Sequence, residues 1–248
     1  MQKRLGWLIF GLLLVVVGSV MVFFYYTGHM QTRVNTIAEE KFTKQFKSPT
    51  GDGDSMSGAG NQPTATDQAS SNFVGTAQLT EVGQYRLTAD GIEQKLVKMK
   101  TLNKYMTDGD FTYHITGVAL VRERARDNHA LQIARRLYND RGLASEYYTL
   151  TLSYTVANDS ANTVVTRGVT AATYKNKVAM SMLTGLVNSG LATTSGIASG
   201  GASSAMMTAL VPKEYGKKVS RVDLQFSALF DSNGMQVTKP TRVMTVTF

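Results

Sequence analysis

The chain has 248 residues and a formal net charge of +8, and 43% of its residues are hydrophobic, which is enough to bury a globular core. It contains no cysteine, so disulfides, cysteine zinc sites, thiolate nucleophiles and thioether lipid anchors are excluded. The positive charge favours anionic surroundings, such as a phosphate polymer, a membrane surface or nucleic acid.

An apolar run without charges extends from Leu5 to Gly28, directly after Lys3 and Arg4. A run of about 20 residues matches a helix that crosses a bilayer, and aromatic residues lie near both ends of this one. A signal peptide usually has a shorter apolar region, followed by small residues at the cleavage site. We therefore predict an uncleaved membrane anchor at 1–28, with the N-terminus in the cytoplasm and the rest of the chain outside the cell. A cleaved signal peptide and a buried soluble helix are the alternatives.

Two segments separate this anchor from the folded part of the chain. Residues 29–47 are polar with apolar side chains at helical spacing, which predicts a short juxtamembrane helix. Residues 48–72 are rich in Gly, Ser, Thr, Pro and Asp. This composition predicts a flexible linker, because little apolar surface is present to offset the entropy lost on ordering.

Residues 73–248 show the alternation that is typical of strands. The clearest strand is YYTLTLSYTVANDS, which begins at Tyr147 and alternates apolar residues with Ser and Thr before a turn signal. Similar runs begin at Asp110 and Arg221, whereas Ile92 to Met106 fits either an exposed strand or a capped helix. Several short alternating strands separated by turns predict a mainly β fold, a β-sandwich with a helical insertion.

Two insertions are predicted to interrupt these strands. The first, 122–142, has the pattern of a helix with Asp127 as its N-cap and Gly142 at its end. The second, 176–211, has no charged residue after Lys177 and is rich in Gly, Ser and Ala. Because glycines make ordering costly, we predict a mobile loop that is peripheral to the core. A second membrane span is the alternative for this segment.

The clearest strand also carries a resemblance to a known family. Its pattern comprises Tyr148, Leu150, Leu152, Tyr154, Val156, Asn158 and Ser160. In this pattern, and in the order of its strands over residues 77–248, the chain resembles the immunoglobulin-like extracellular domain, of unknown function, of Gram-positive bacterial surface proteins and lipoproteins. The resemblance implies an immunoglobulin-like β-sandwich at the cell surface and supplies no catalytic residues. The lipobox cysteine that is common in those proteins is absent from this chain.

Sequence patterns for catalysis do not occur in the chain. The three histidines have no partner at metal-ligand spacing, and no G-x-S-x-G elbow is present. The stretch GIASGG lacks the lysine of a phosphate-binding loop. We therefore expect no enzyme activity, no cofactor and no metal site, and we expect His114 to have a structural role within its strand. An enzyme of the envelope is the third alternative, and a deep polar pocket with clustered carboxylates would favour it.

The one concentration of chemical groups is basic and lies in the first insertion. The candidate binding residues are Arg122, Arg124, Arg135, Arg136 and Arg141. Guanidinium groups suit bidentate contacts with phosphate or carboxylate, so anionic envelope polymers or lipid headgroups are the expected partners. Nucleic acid is not expected, since no recognition module is evident. The alternative is a solvated helix face whose arginines pair with Glu123, Asp127 and Asp140.

Together these patterns predict a single-pass membrane protein of the bacterial cell envelope. Its extracellular domain would act by binding or scaffolding, and other envelope proteins are further expected partners. The alternative is a bitopic component of a secretion or conjugation apparatus with an α+β extracytoplasmic domain. A two-sheet sandwich would favour the first function, and several helices preceding a curved sheet would favour the second.

Overall fold

The computed structural model describes residues 61–175 and 178–248 of the chain. Both ranges belong to one compact unit, Thr50–Phe248. The predicted anchor at 1–28, the predicted juxtamembrane helix at 29–47 and the predicted linker up to residue 60 lie outside the described residues. Within the described ranges, no helix combines the length and the apolar character needed to cross a membrane.

Strands and short helices make up this part of the chain. The strands are β1 (Tyr85–Leu87), β2 (Ile92–Asp108), β3 (Phe111–Ala125), β4 (Glu146–Asn158), β5 (Val164–Thr166), β6 (Val169–Tyr174), β7 (Val178–Ser181), β8 (Leu186–Gly190), β9 (Gly201–Val211), β10 (Arg221–Phe226), β11 (Leu229–Asp231) and β12 (Met244–Thr247). The helices are α1 (Ala65–Ala69), α2 (Asn128–Leu137), α3 (Leu191–Thr194) and a 3₁₀ helix at Gly216–Lys218.

The strands pair into antiparallel sheets. A six-stranded sheet has the order β1-β2-β3-β4-β9-β8, and a four-stranded sheet has the order β12-β10-β6-β7. A separate two-stranded pair joins β11 to β5. The predicted mainly β fold class is therefore confirmed at the level of antiparallel sheets.

One hydrophobic core is shared by the two larger sheets. The alternating apolar residues of β4, including Leu152 and Tyr154, are buried on one face of the six-stranded sheet, as their period-2 pattern predicts. Phe226 of β10, in the four-stranded sheet, lies with its ring centroid 4.6 Å from that of Tyr113 and 5.1 Å from that of Tyr154. Aromatic residues of both sheets thus meet in the same core, an arrangement that is compatible with a sandwich.

The segment whose sequence fitted either a strand or a helix lies in the longest strand of the described part. β2 pairs with β3 from Ile92↔Ala125 to Asp108↔Phe111. Two irregularities, between Leu96 and Lys98 and between Thr101 and Lys104, shift the register along the way. These bulges add residues to β2 without partners in β3, which explains why the sequence does not alternate cleanly.

The second predicted insertion is part of the sheets and not a peripheral loop. Its described residues form β7, β8 and β9, and β9 pairs with β4 from Tyr148↔Val211 to Asn158↔Gly201. Met207 and Ala209 of β9 are fully buried. The prediction was wrong because small uncharged residues also suit close packing: a Cβ atom on Gly190 would lie only 2.7 Å from the Cα atom of Ala205.

Two adjacent methionines of β9 allow a test of the burial of this strand in the core. Met207 points into the core and Met206 points to the opposite, partly exposed face. We expect Met207→Ala to lower the free energy of unfolding by about 2–5 kcal/mol, since it leaves a cavity in a packed core. Met206→Ala removes the same atoms from a partly exposed position and should cost less than Met207→Ala, because less apolar surface is returned to water. Urea denaturation of both variants measures the difference, and equal effects would contradict the placement of β9 in the core.

Candidate functional site

The predicted binding residues lie at one end of the six-stranded sheet, where β2 begins, β3 ends, β4 begins and β9 ends. We call this the helix end, because α2 crosses the sheet there. Asp127 caps the start of α2 by accepting a hydrogen bond from the N–H of Ala130 at 2.8 Å, as the sequence predicts. Ala130 and Ala134 are fully buried and pack with Tyr147 of β4 in a second core cluster.

The helical insertion is shorter than predicted, and this changes the position of two arginines. Arg122 and Arg124 belong to β3 and pair across the sheet with β2 and β4, so they are not part of the helix. Successive residues of a strand point to opposite faces. Since Ala125 packs under α2, Arg122 and Arg124 lie on the face that α2 does not cover.

A buried carboxylate, that of Glu93, organises this uncovered face. Glu93 lies opposite Arg124 in the register of β2 and β3, and its side chain is only 7% exposed. Its oxygens accept hydrogen bonds from Arg124 at 2.6 Å, Arg126 at 3.1 Å and Arg122 at 3.4 Å. Arg122 also approaches Glu146 at 3.8 Å. The acidic partners of these arginines are therefore distant in sequence.

Part of the predicted flexible linker is folded against this cluster. Thr64 and Asp67 form a capping box around the short helix α1. Asp67 is buried and accepts two hydrogen bonds from the guanidinium group of Arg126, at 2.6 and 2.7 Å. The linker prediction was wrong for the described residues 61–72, because one buried, bidentate ion pair supplies the contact that the composition lacks. We call Asp67, Arg126 and Glu93 the latch.

The latch also lowers the pKa of both carboxyl groups. Hydrogen bonds from the Arg126 guanidinium hold the pKa of Asp67 well below its usual range, against the opposing effect of burial. Burial alone would raise the pKa of Glu93, but hydrogen bonds from Arg124 and Arg126 outweigh it and the pKa is lowered. Both groups are therefore ionised at neutral pH, and each contributes stability in its charged form.

Removal of the Asp67 carboxylate should loosen α1 and expose the charge of Arg126. We expect Asp67→Asn to lower the free energy of unfolding by about 2 kcal/mol at neutral pH, since a charged, partly buried hydrogen-bonded pair is broken. Because the folded pKa of Asp67 is lowered, the cost should be complete above pH of about 4 and should shrink as the pH falls through the folded pKa. Chemical denaturation at several pH values measures it.

Asp90, which is exposed in the turn before β2, provides the matched control. Asp90→Asn should change the free energy of unfolding by less than about 0.5 kcal/mol. In hydrogen exchange, amides at 61–72 should lose protection in Asp67→Asn and keep it in Asp90→Asn. Unchanged protection in both variants would mean that the latch does not hold α1.

A second buried carboxyl group, that of Glu123, lies on the opposite face of β3, under α2. It accepts hydrogen bonds from the hydroxyl groups of Thr149 at 2.7 Å and Tyr147 at 3.0 Å, and Gln94 donates at 3.4 Å. Gln94 in turn accepts from Nε of Arg86 at 2.8 Å. Burial raises the pKa of Glu123, and the hydrogen bonds and the charge of Arg86 only partly oppose it.

The raised pKa of Glu123 makes the free energy of unfolding depend on pH. The protonated carboxyl group stabilises the fold below the unfolded pKa, and this stabilisation is lost as the pH rises through the folded pKa. Glu123→Gln keeps the shape without the charge, so its free energy of unfolding should rise relative to wild type as the pH rises above about 4.3. Unfolding curves between acidic and neutral pH test this, with Glu81→Gln, at an exposed position, as the control. A difference that does not depend on pH would contradict it.

The five predicted binding residues fall into two groups on opposite faces of β3. Arg122 and Arg124 contact Glu93, as described above. Nε of Arg135 donates to the carbonyl oxygen of Leu143 at 3.0 Å and is half-buried. Arg136 and Arg141 lie at the C-terminal side of α2. Both are exposed cations without an ion pair among the described residues.

Residues that the sequence analysis did not single out build most of this end of the sheet. They are Asp67, Arg86, Glu93, Gln94, Tyr147 and Thr149. Glu93 is the one with a usable signal, because an acid near the start of β2 faces the arginines of β3 if both are strands of one hairpin. The capping box of Thr64 and Asp67 is a local pattern, but the pairing of Asp67 with Arg126 is a long-range contact that has no local signal.

Elsewhere, His114, for which we expected a structural role, contacts two residues of the neighbouring strand β2. The ring of His114 stacks on that of Tyr105 with centroids 4.0 Å apart, and its Nε2 lies 2.9 Å from Oδ1 of Asn103. Burial lowers the pKa of His114. Across the part of the chain that the structure describes, no group of three or more His, Asp or Glu side chains is placed to hold a metal ion.

Comparison of the chain with protein-family models, with curated proteins and with solved structures finds no match.

Proposed function

We propose that the chain is a membrane-anchored binding or scaffolding protein of the bacterial cell envelope, with its β domain outside the cell and of the immunoglobulin-like sandwich kind. The uncharged run from Leu5 to Gly28, preceded by Lys3 and Arg4, supports the anchor and its orientation. Antiparallel sheets that share a core support the sandwich. The helices of the described domain have 5, 10 and 4 residues, which favours this function over an α+β component of a secretion apparatus.

One observation supports binding over catalysis. The buried carboxyl groups at the helix end accept hydrogen bonds from neighbouring side chains: Glu93 and Asp67 from arginines, and Glu123 from Thr149 and Tyr147. Each of these groups is therefore already hydrogen-bonded within the domain. The exposed cations Arg136 and Arg141 remain at the surface, where they can attract an anionic partner.

The anchor is tested with the full chain in bacterial membranes. Because an apolar run of about 20 residues spans the hydrocarbon core, we expect the chain to resist extraction by alkaline carbonate. A C-terminal epitope should be removed by protease added outside intact cells. A variant that lacks residues 5–28 should leave the membrane fraction and serves as the control. Extraction of the full chain by carbonate, or protection of the epitope, would contradict the proposal.

A further inference from the structure

The turn between β7 and β8 exposes two apolar side chains. Leu183 is 79% exposed and Met182 is 47% exposed, and they are adjacent in the chain. Scattered apolar residues are normal on protein surfaces. Two neighbours at the tip of a turn form a small apolar projection, which we call the Met–Leu tip.

Hydrogen bonds fix the Met–Leu tip to the end of α2. The backbone N–H groups of Ser181 and Thr184 each donate to the carbonyl oxygen of the other, both at 2.9 Å, so the turn is closed on itself. The N–H of Gly185 donates to the carbonyl oxygen of Tyr138 at 2.7 Å. Nδ2 of Asn139 donates to the carbonyl oxygen of Leu183 at 2.8 Å. The two apolar side chains are therefore presented to solvent by a backbone that is held in place.

Free cations lie beside the same contact. Arg136 and Arg141 flank Asn139 along the chain, and both are exposed and without an ion pair in the described residues. The nearest acid in sequence, Asp140, accepts a hydrogen bond from the N–H of Gly142 at 2.9 Å. The arginines are thus within three residues of Asn139, which contacts the tip. Apolar side chains together with nearby cations are the chemistry of a surface that enters the headgroup region of an anionic membrane.

The Met–Leu tip and the latch lie at the same end of the six-stranded sheet. Helix α2 begins beside Arg126, which holds Asp67, and the residues after it contact the tip through Tyr138 and Asn139. The first described residues of the domain therefore lie at the helix end. The predicted anchor precedes them in the sequence.

We propose that the Met–Leu tip enters the interfacial region of an anionic lipid membrane, with Arg136 and Arg141 binding lipid phosphates, so that the anchored domain lies with its helix end on the bilayer. This inference rests on the proposed membrane anchor. A stable protein interface buries roughly 1,000 Å² or more, which two side chains do not supply. A weak lipid contact is sufficient here, because the anchor keeps the domain at a high effective concentration near the surface.

The absence of cysteine allows a direct test by single labelling. The full chain with Leu183→Cys carries an environment-sensitive fluorophore and is reconstituted into vesicles of phosphatidylcholine with or without phosphatidylglycerol. We expect a blue shift of emission, and quenching by nitroxide groups on the lipid chains, in the vesicles that contain phosphatidylglycerol. Met235→Cys is the matched control: Met235 is 69% exposed and lies after β11, which pairs with β5 beyond the far end of β4. It should show neither effect.

Charge reversal tests the role of the arginines. Arg136→Glu with Arg141→Glu should abolish the blue shift of the label at position 183. Lys239→Glu with Arg242→Glu makes the same change in charge at exposed residues near Met235, and it should leave the shift intact. Circular dichroism and thermal melting check that all variants remain folded.

The possible failures are distinguishable. If the full chain does not float with vesicles of either composition, the proposed anchor fails and the inference fails with it. If the chain floats but the label at position 183 is neither shifted nor quenched, only the inference fails. A blue shift in vesicles that lipid nitroxides do not quench would mean that the tip binds protein, such as a second copy of the chain, and would overturn the lipid contact. A shift that survives Arg136→Glu with Arg141→Glu would overturn the role of the arginines.

Discussion

The Glu93 carboxylate is almost fully removed from water, and a charge in that position is stable only if cations and hydrogen bonds replace the solvent. β3 supplies Arg122 and Arg124. Arg126, the residue that directly follows β3, also donates to Glu93 and in addition forms the ion pair with Asp67. One buried charge therefore connects the start of β2, the end of β3 and helix α1. Loss of Arg126 would remove the bidentate partner of Asp67 and one of the hydrogen-bond donors to Glu93.

Several other features of the helix end depend on this arrangement. Because Arg126 is held by Asp67 and Glu93, the chain turns at a fixed point and Asp127 is placed to cap α2. The direction of α2 across the sheet follows from its buried alanines, which allow close approach to β3 and β4. The far end of the helix then meets the turn between β7 and β8 through Tyr138. Helix α2 thus connects the charge pairs of β2 and β3 with the exposed apolar turn before the edge strand β8.

The sequence predicted the elements whose signal is local. The alternation of β4 and the cap at Asp127 both have such signals, and both were found. The register of β2 against β3 could not be predicted: counted from Asp108↔Phe111 without bulges, Glu93 would lie opposite Arg126, and the two bulges place it opposite Arg124. The segments 61–72 and 176–211 were misread for a related reason, since small polar residues are compatible with a flexible loop and with close packing, and only long-range contacts distinguish the two.

The use of the arginines also limits what the net charge implies. A formal charge of +8 indicates a basic protein, yet Arg122, Arg124 and Arg126 are paired with buried or partly buried acids and add little to the field outside the domain. The positive charge that a partner would meet at the helix end comes from exposed arginines such as Arg136 and Arg141, which form no ion pair in the described residues. Exposed cations next to an apolar turn provide two weak attractions that act on one surface. If the domain is anchored as we propose, such attractions need only set its orientation, because the anchor provides the affinity.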